Sequence, residues 1–329
     1  MTESEGLPQR RILVTAQIHE AVADRLRKAG EVVINPGIDP WTREEVEAHA
    51  RDCDAVMAFM PDRLDAAFFA SPGRLKMLAC ALKGYDNFDI AAAVKAGVRV
   101  SIVPDLLTEP TAELAIGLAI GLTRHVRMGD ARVRSGAFAG WQPVLYGAGL
   151  HRATVAVVGL GKVGRAIVDR LAGFGCARIM GVDPRECDPR VEMASLQAAG
   201  ADADYVFLAA PLNAATREMI GRQYLSQAKP GQFIVNVGRG SVVDETAIAG
   251  ALSSGALGGY AADVFAFEDW ALADRPKHIP PALGEHPATL FTPHLGSAVA
   301  SVRLAIEHRA ADNILAFLAG RAPPDEIWD

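Results

Sequence analysis

The sequence has only four cysteines, Cys53, Cys80, Cys176 and Cys187, with no CxxC pair and no histidines flanking them at ligand spacing. That argues against a zinc site and a disulfide framework, and fits a reducing cytoplasm. It has no block of like charge, and its net charge is only −6. Nothing therefore draws the chain to nucleic acid or to an anionic membrane, and an anionic ligand has to be caught by local groups. Long apolar runs are missing too. The stretch ILVTA behind Arg10 and Arg11 is too short for the core of a secretion signal, and no segment approaches membrane-spanning length. What remains is a chain of 329 residues, half of them apolar, which is enough for two domains with real cores and excludes wholesale disorder.

Short β-rich runs alternate with helical patterns from the start. RILVTA leads to IHEAVADRLRKAG, closed by Gly30, and then to EVVIN; TREEVEAHARD, AVMAFM, RLKMLACAL, DIAAAVKAG and RVSIV follow. Thr42 and Glu45 have capping-box spacing, and Gly97 is placed to stop a helix. Strands joined through helices imply a parallel sheet. VPDLLTEP reads as a hinge into the helix TAELAIGLAIGLTRH, which is apolar nearly all round and so should be buried. A second series then runs TVAVVG, RIMGVD, YVFLAA, QFIVNVG, DETAIAGALSSG, GGYAADVF and TLFTPHLG, giving a second parallel sheet. The closing segment SAVASVRLAIEHRAADNILAFLAG is one long helix expected to return to the first domain. No short repeat is visible.

TVAVVGLGKVG carries the chain from a strand through Gly159, Gly161 and Gly164 into a helix. In GxGxxG the first glycine allows the turn, the second admits a pyrophosphate and the third lets helix and strand pack. Asp183 stands nineteen residues beyond Gly164, at the end of the next strand, where a carboxylate takes the adenosine ribose hydroxyls. It should repel a 2′-phosphate and favour NAD over NADP. Arg185, in the other case, is the residue type that accepts that phosphate.

Three later strand ends offer groups to one crevice: Arg239 in NVGRGSVVDE, Asp263 and Glu268 in YAADVFAFEDW, and His294 in TLFTPHLGSA. The carboxyl ends of parallel strands form the ligand edge of such a sheet. Arginine presents a planar fork to two anion oxygens, histidine handles a proton, and a carboxylate beside the imidazole fixes its tautomer and favours its charged form. Together they suit hydride transfer between an anionic substrate and a nicotinamide, without a metal.

These residues resemble the cofactor loop and the arginine, glutamate and histidine of the D-2-hydroxyacid dehydrogenases. Within that family the likeness is nearest to its phosphonate (phosphite) dehydrogenase branch. It runs through AFMPDR, CALKGYDNFD, VPDLLTEPTAELAIGLAIGL, RSGAFAGWQP, YGAGL, GRGSVVDE, GGYAADVFAFEDWALADRP and FTPHLGSAV. The resemblance implies an α/β fold of two doubly wound parallel-sheet domains. A flavodoxin-like substrate domain would span 1–107 and 298–329, and a Rossmann NAD-binding domain 108–297, the chain forming a homodimer. It makes Arg239, Glu268 and His294 catalytic. It implies that Lys83 and Gly84, reaching from the first domain, add a second cation for a small dianion, phosphite. It places Met60, Leu107, Thr111, Trp141, Tyr146, Ser297 and Arg303 in or behind the substrate pocket. Along the cofactor it places Lys162, Val163, Ala209, Ala210, Pro211, Val237 and Asp263, with Lys83 and Thr111 touching both ligands. The sequence departs from the branch at Val237 and Gly238, where it has a proline and a cysteine, at Lys162, where it has a small residue, and at Ala266, where it has a carboxylate. A small organic 2-hydroxyacid, such as glycerate or its glyoxylate-type counterpart, is the alternative substrate. Read from the residues alone, Met60 and Leu107 would be core and Trp141 and Tyr146 packing aromatics. A non-catalytic NAD-binding co-regulator is the alternative role.

Overall fold

A computed structural model describes residues 10–328, and the chain packs as two compact units. Of the described residues, the first holds 10–107 with Trp270–Ala273 and 299–328; the second holds Thr108–Asp269 and Asp274–Ala298. The first nine positions and Asp329 of the expected substrate domain lie outside the described residues.

In the first unit, β1 (Arg11–Val14), β2 (Glu31–Ile34), β3 (Ala55–Ala58), β4 (Met77–Cys80) and β5 (Arg99–Ser101) form a parallel sheet in the order β2-β1-β3-β4-β5. This is the flavodoxin-like order, and a short antiparallel strand, Glu326–Ile327, closes it on β5. Every residue of β3 and β4 is buried, as expected of central strands covered on both faces. On one face Leu13, Val56, Leu78 and Val100 pack with Val46, Phe68 and Phe69. On the other, Ile12, Met57 and Ala79 meet Ile306, Ala310 and Ile314 of the helix Ala300–Leu318. The four-residue spacing of those three side chains makes the stripe that docks the closing helix on this sheet. The capping box forms: the Glu45 amide donates to Thr42 Oγ1 and the Thr42 amide to Glu45 Oε2. Gly97 stands at φ +72° just after the helix Ile90–Lys95, a conformation that suits glycine.

In the second unit, β6 (Thr154–Val158), β7 (Arg178–Val182), β8 (Glu192–Met193), β9 (Tyr205–Leu208), β10 (Gln232–Asn236), β11 (Leu257–Ala262) and β12 (Thr289–Phe291) are all parallel, in the order β12-β11-β10-β9-β6-β7-β8. Counted from β6, that is the Rossmann order 3-2-1-4-5-6 with one strand added. The helix Thr108–Thr123 is buried as expected, its Ala112, Ala115, Ile116, Ala119 and Leu122 packing with Val155, Val157, Val235 and Ala261. It begins three residues before the position its pattern suggests, with Pro110 inside its first turn. Amides of a first turn have no intrahelical acceptor, so proline there sacrifices no bond. The two-residue strand β8 and the helices Val126–Arg134 and Leu196–Asp202 carry no strong pattern in the sequence and are findings of the structure. Among the described residues no helix is long and apolar enough to cross a membrane.

A buried carboxyl group shapes the loop after β3. Asp62 is 5% exposed, bonds the Thr15 hydroxyl and accepts the Phe59 amide at 2.7 Å. Burial raises its pKa from 3.8 to about 6 against the pull of those two donors. The folded chain therefore holds a proton that the unfolded chain releases between these values, so this group's contribution to stability is largest below the unfolded pKa and falls as pH rises through the folded one. Asp62→Asn should remove that decline. Relative to the parent, the variant should gain on the order of 3 kcal/mol between pH 4 and pH 7 in urea unfolding, and a pH-independent difference would contradict the assignment.

Candidate active site

The glycine loop follows β6, and each glycine has a distinct reason for being there. Gly159 lies at φ +91°, and a Cβ on it would come within 2.8 Å of the Ala209 carbonyl carbon and the Ala210 amide nitrogen, in the loop that follows β9. A Cβ on Gly164 would stand 1.8 Å from the Gly159 carbonyl oxygen, so the helix Lys162–Leu171 packs on its loop only because that side chain is missing. Gly161, the residue before the helix, has nothing within 4 Å of the Cβ position and leaves its amide edge open to a pyrophosphate. Asp183, at the end of β7, accepts the Leu160 amide at 2.8 Å and the Arg185 and Glu186 amides at 2.9 Å. Partial burial pushes its pKa up, but those three amides and the Arg185 charge outweigh it and hold the group below the usual carboxylate range. It is thus a fixed anion that pins the glycine loop, with about one of its four lone-pair sites left for a ribose hydroxyl. The loop, the open Gly161 edge and this carboxylate fit a dinucleotide.

The loops after β10, β11 and β12 carry the candidate chemistry. Arg239 lies three residues past β10, in a turn built by Asn236, which accepts the Gly238 amide and donates to the Arg239 carbonyl at 2.9 Å. Glu268 ends the 3₁₀ turn Ala266–Glu268 beyond β11 and accepts the Phe265 amide through Oε1 at 3.0 Å. Its Oε2 meets His294 Nδ1 at 2.8 Å, so the carboxylate claims the Nδ1 proton and leaves Nε2 for chemistry. His294 itself lies at φ +56°, a conformation that side chains other than glycine rarely adopt. Its amide donates to the Asp263 and Thr292 carbonyls at 2.9 and 3.0 Å, which holds it there.

Asp263 has a second role that its sequence position did not disclose. It is 2% exposed; Oδ1 accepts the Thr292 hydroxyl and the Leu295 amide at 2.6 Å each, and Oδ2 accepts the Gly296 amide at 2.8 Å. Burial raises its pKa despite those donors. Asp263 therefore wires the turn that presents His294. Thr111 lies beside it, since a Cβ on Gly296 would stand 3.0 Å from Thr111 Oγ1 and 3.2 Å from Asp263 Oδ2. Asn236 and Asp263 share one signal in the sequence: a polar side chain closing an otherwise apolar strand run.

The remaining expected residues divide by unit. Ala209, Ala210 and Pro211 follow β9, and Val237 follows β10, at the same carboxyl edge as Arg239 and His294. Lys162 and Val163 open the helix behind the glycine loop, and Ser297 is half-buried just beyond Gly296. Trp141 and Tyr146 are 80% and 74% exposed, so they are not the packing aromatics that the residues alone suggested; they stand on an irregular stretch that no described contact brings to Glu268 or His294. In the first unit, Met60, half-buried Lys83, Gly84 and Leu107 lie past the carboxyl ends of β3, β4 and β5. The Asn87 side chain donates to the Met60 carbonyl at 2.8 Å and ties the first two of these loops together. Arg303 sets its guanidinium over the Phe59 ring at 5.7 Å, and burial lowers its pKa against the opposing pull of Glu307.

Fold and site define an oxidoreductase with a dinucleotide domain and an arginine, glutamate, histidine set. Residues 116–296 match the family described as D-isomer specific 2-hydroxyacid dehydrogenase, NAD binding domain. The chain is 32% identical over 323 residues to a glyoxylate reductase of Thermococcus onnurineus, covering 95% of this chain and 94% of that one. A solved Thermus thermophilus protein is similar at 33% identity with a TM-score of 0.89, covering 97% and 100% of the two chains. An NADPH-dependent glyoxylate/hydroxypyruvate reductase of Sinorhizobium meliloti, solved with NADP and malonate, is similar at 29% identity with a TM-score of 0.83 over 97% of each chain. The chain belongs to the D-isomer specific 2-hydroxyacid dehydrogenase family, and its cofactor is NAD.

Gly164→Ala should force the helix off its loop, weakening NADH binding at least tenfold by fluorescence titration; wild-type affinity would contradict the packing argument. Asp183→Ala should narrow the preference for NAD over NADP in kcat/KM, and an unchanged ratio would mean that the ribose lies elsewhere.

Proposed function

We propose that this chain oxidises phosphite to phosphate with NAD. The observation that carries the reading is the Lys83–Gly84 pair, a half-buried lysine past the carboxyl end of β4 inside the segment CALKGYDNFD. A doubly charged oxyanion without a carbon skeleton needs more positive charge than one guanidinium supplies, and a second cation answers that need. Arg239 grips two phosphite oxygens and so directs the P–H bond. When bound, the nicotinamide would supply the hydride acceptor for that bond. His294, oriented through Nδ1 by Glu268, accepts at Nε2 the proton of the water whose oxygen forms the new bond to phosphorus. Orientation of this kind is worth on the order of 7 to 11 kcal/mol in well-positioned reactions. The family likeness further supports a homodimer, to be checked by light scattering.

A second reading has its own support: two of the three relatives quoted above are named for glyoxylate or hydroxypyruvate, and none of them for phosphite. On that reading the chain reduces a small 2-oxo acid, Arg239 holds its carboxylate, and His294 donates from Nε2 to the carbonyl oxygen. Every group of the second unit serves equally well, and Lys83 has no special task.

One assay divides the two. With NAD, phosphite should raise NADH absorbance while D-lactate and D-glycerate do not, and with NADH, glyoxylate and hydroxypyruvate should be poor substrates. Turnover of the organic acids with none of phosphite would establish the second reading instead. Lys83→Ala should lower kcat/KM for phosphite roughly 10- to 100-fold, the range of a lost charge-assisted hydrogen bond. His294→Ala should lower kcat by orders of magnitude, whereas a co-regulator without catalysis would show no turnover to lose.

A further inference from the structure

Glu245 is a buried acid that neither proposed reaction uses. It opens the helix Glu245–Ser253, directly after the capping residue Asp244, and is 5% exposed. Its Oε1 accepts the Ala266 amide at 2.9 Å, while its Oε2 is buried with no hydrogen-bond partner. Ala266 begins the turn that ends in Glu268, so Glu245 holds the turn from behind while Glu268 faces His294 in front.

The same turn is locked to the arginine loop. A Cβ on Gly240 would stand 1.8 Å from the Phe265 carbonyl carbon and 2.1 Å from the Ala266 nitrogen, so the residue after Arg239 lies directly on the Phe265–Ala266 peptide. Next in sequence, the Ser241 amide donates to Asp269 Oδ2 at 2.6 Å. Phe265 stacks on Phe267 and meets Phe291 edge to face, which fixes the outer side. The two loops carrying Arg239 and Glu268 are thus clasped by a peptide contact and two carboxyl groups, Glu245 and Asp269.

We propose that Glu245 is a positioning residue of the dehydrogenase site: its carboxyl group holds the turn Phe265–Asp269 against the Arg239 loop and so sets where Glu268 meets His294. The inference rests on the assignment of Arg239, Glu268 and His294 as the working set and holds for either substrate. Burial raises the Glu245 pKa from 4.5 to about 7 against the pull of the Ala266 amide, with the negative charges of Asp269, Glu268 and Asp244 adding to the rise. The other titratable or charged groups around the clasp are Tyr260 on β11, whose buried hydroxyl lies beside Asn236 and Glu245, Arg275, whose side chain donates to the Phe267 carbonyl, and Arg239 and His294 themselves. A neutral acid suits the place, because an ionised one would add a third carboxylate beside Glu268 and Asp269.

The test compares E245Q, which keeps the acceptor and removes the titration, with E245L, which removes both. In E245L, amides of the peptide spanning residues 264–269 should exchange with deuterium at least tenfold faster than in the parent. Its kcat should fall at least tenfold, while its KM for NAD stays within twofold. E245Q should match the parent in exchange and stay within threefold in kcat. The folded enzyme holds the Glu245 proton up to about pH 7 and the unfolded chain loses it near 4.5, so this group's stabilisation declines between the two. The Tm of E245Q should accordingly rise relative to the parent from pH 5 to pH 8. Parental exchange and kcat in E245L would overturn the proposal, as would an E245Q as impaired as E245L. If E245L fails to fold, an E245Q whose Tm tracks the parent at every pH overturns it. A parent enzyme that turns over neither phosphite nor the 2-oxo acids sinks the functional reading alone, and the exchange comparison still decides the role of Glu245.

Discussion

The site depends on one close approach of backbone to backbone: Gly240 lying on the Phe265–Ala266 peptide. A side chain at 240 would push apart the loops that follow two neighbouring strands of one sheet. Arg239 and the Glu268 carboxylate that meets His294 would then move independently. Protein interiors are close-packed, so a displacement of that size cannot be absorbed locally. Everything else in the candidate centre, from the Asn236 turn to the Glu268 carboxylate, elaborates that contact.

Electrostatics in the second unit follow a consistent logic. Asp183, Asp263 and Glu268 each bind backbone amides, and Asp263 and Glu268 in addition hold the turn or the ring of His294. A carboxylate held by several amides is a fixed structural post, and its charge is directed toward a chosen neighbour. That is how loops, ordinarily the mobile portion of a fold, come to hold catalytic groups at fixed positions. The left-handed conformation of His294 belongs to the same design, a strained residue kept in place by the bonds around it.

Class and substrate are written at different scales. The class is carried by the glycine loop, by Asp183 and by the arginine, glutamate, histidine set, which together need the whole architecture. Substrate choice turns on fewer groups, and in the reading proposed above the distinguishing one is Lys83, a half-buried lysine past β4. Relatives identical at about a third of positions share the fold and the cofactor domain with this chain.

Much of the fold was legible in the sequence because its signals are local. Capping boxes, helix-stopping glycines and β-branched runs act over a few residues, and so Thr42 with Glu45, Gly97 and the strand runs could be read directly. The glycine loop and the strand-end positions of Arg239, Glu268 and His294 were legible for the same reason. The strand orders β2-β1-β3-β4-β5 and β12-β11-β10-β9-β6-β7-β8 were not, since pairing depends on which distant faces bury one another. Nor were β8 and the helix Leu196–Asp202, which lack a strong pattern of their own, or the early start of the helix at Thr108, whose first turn holds Pro110 without losing a bond. Local patterns along the chain set the kinds of element and the chemical groups on offer. That Asp263 wires the His294 turn and Glu245 backs the Glu268 turn came from long-range packing, because a buried carboxyl group takes its role from the amides that folding brings to it.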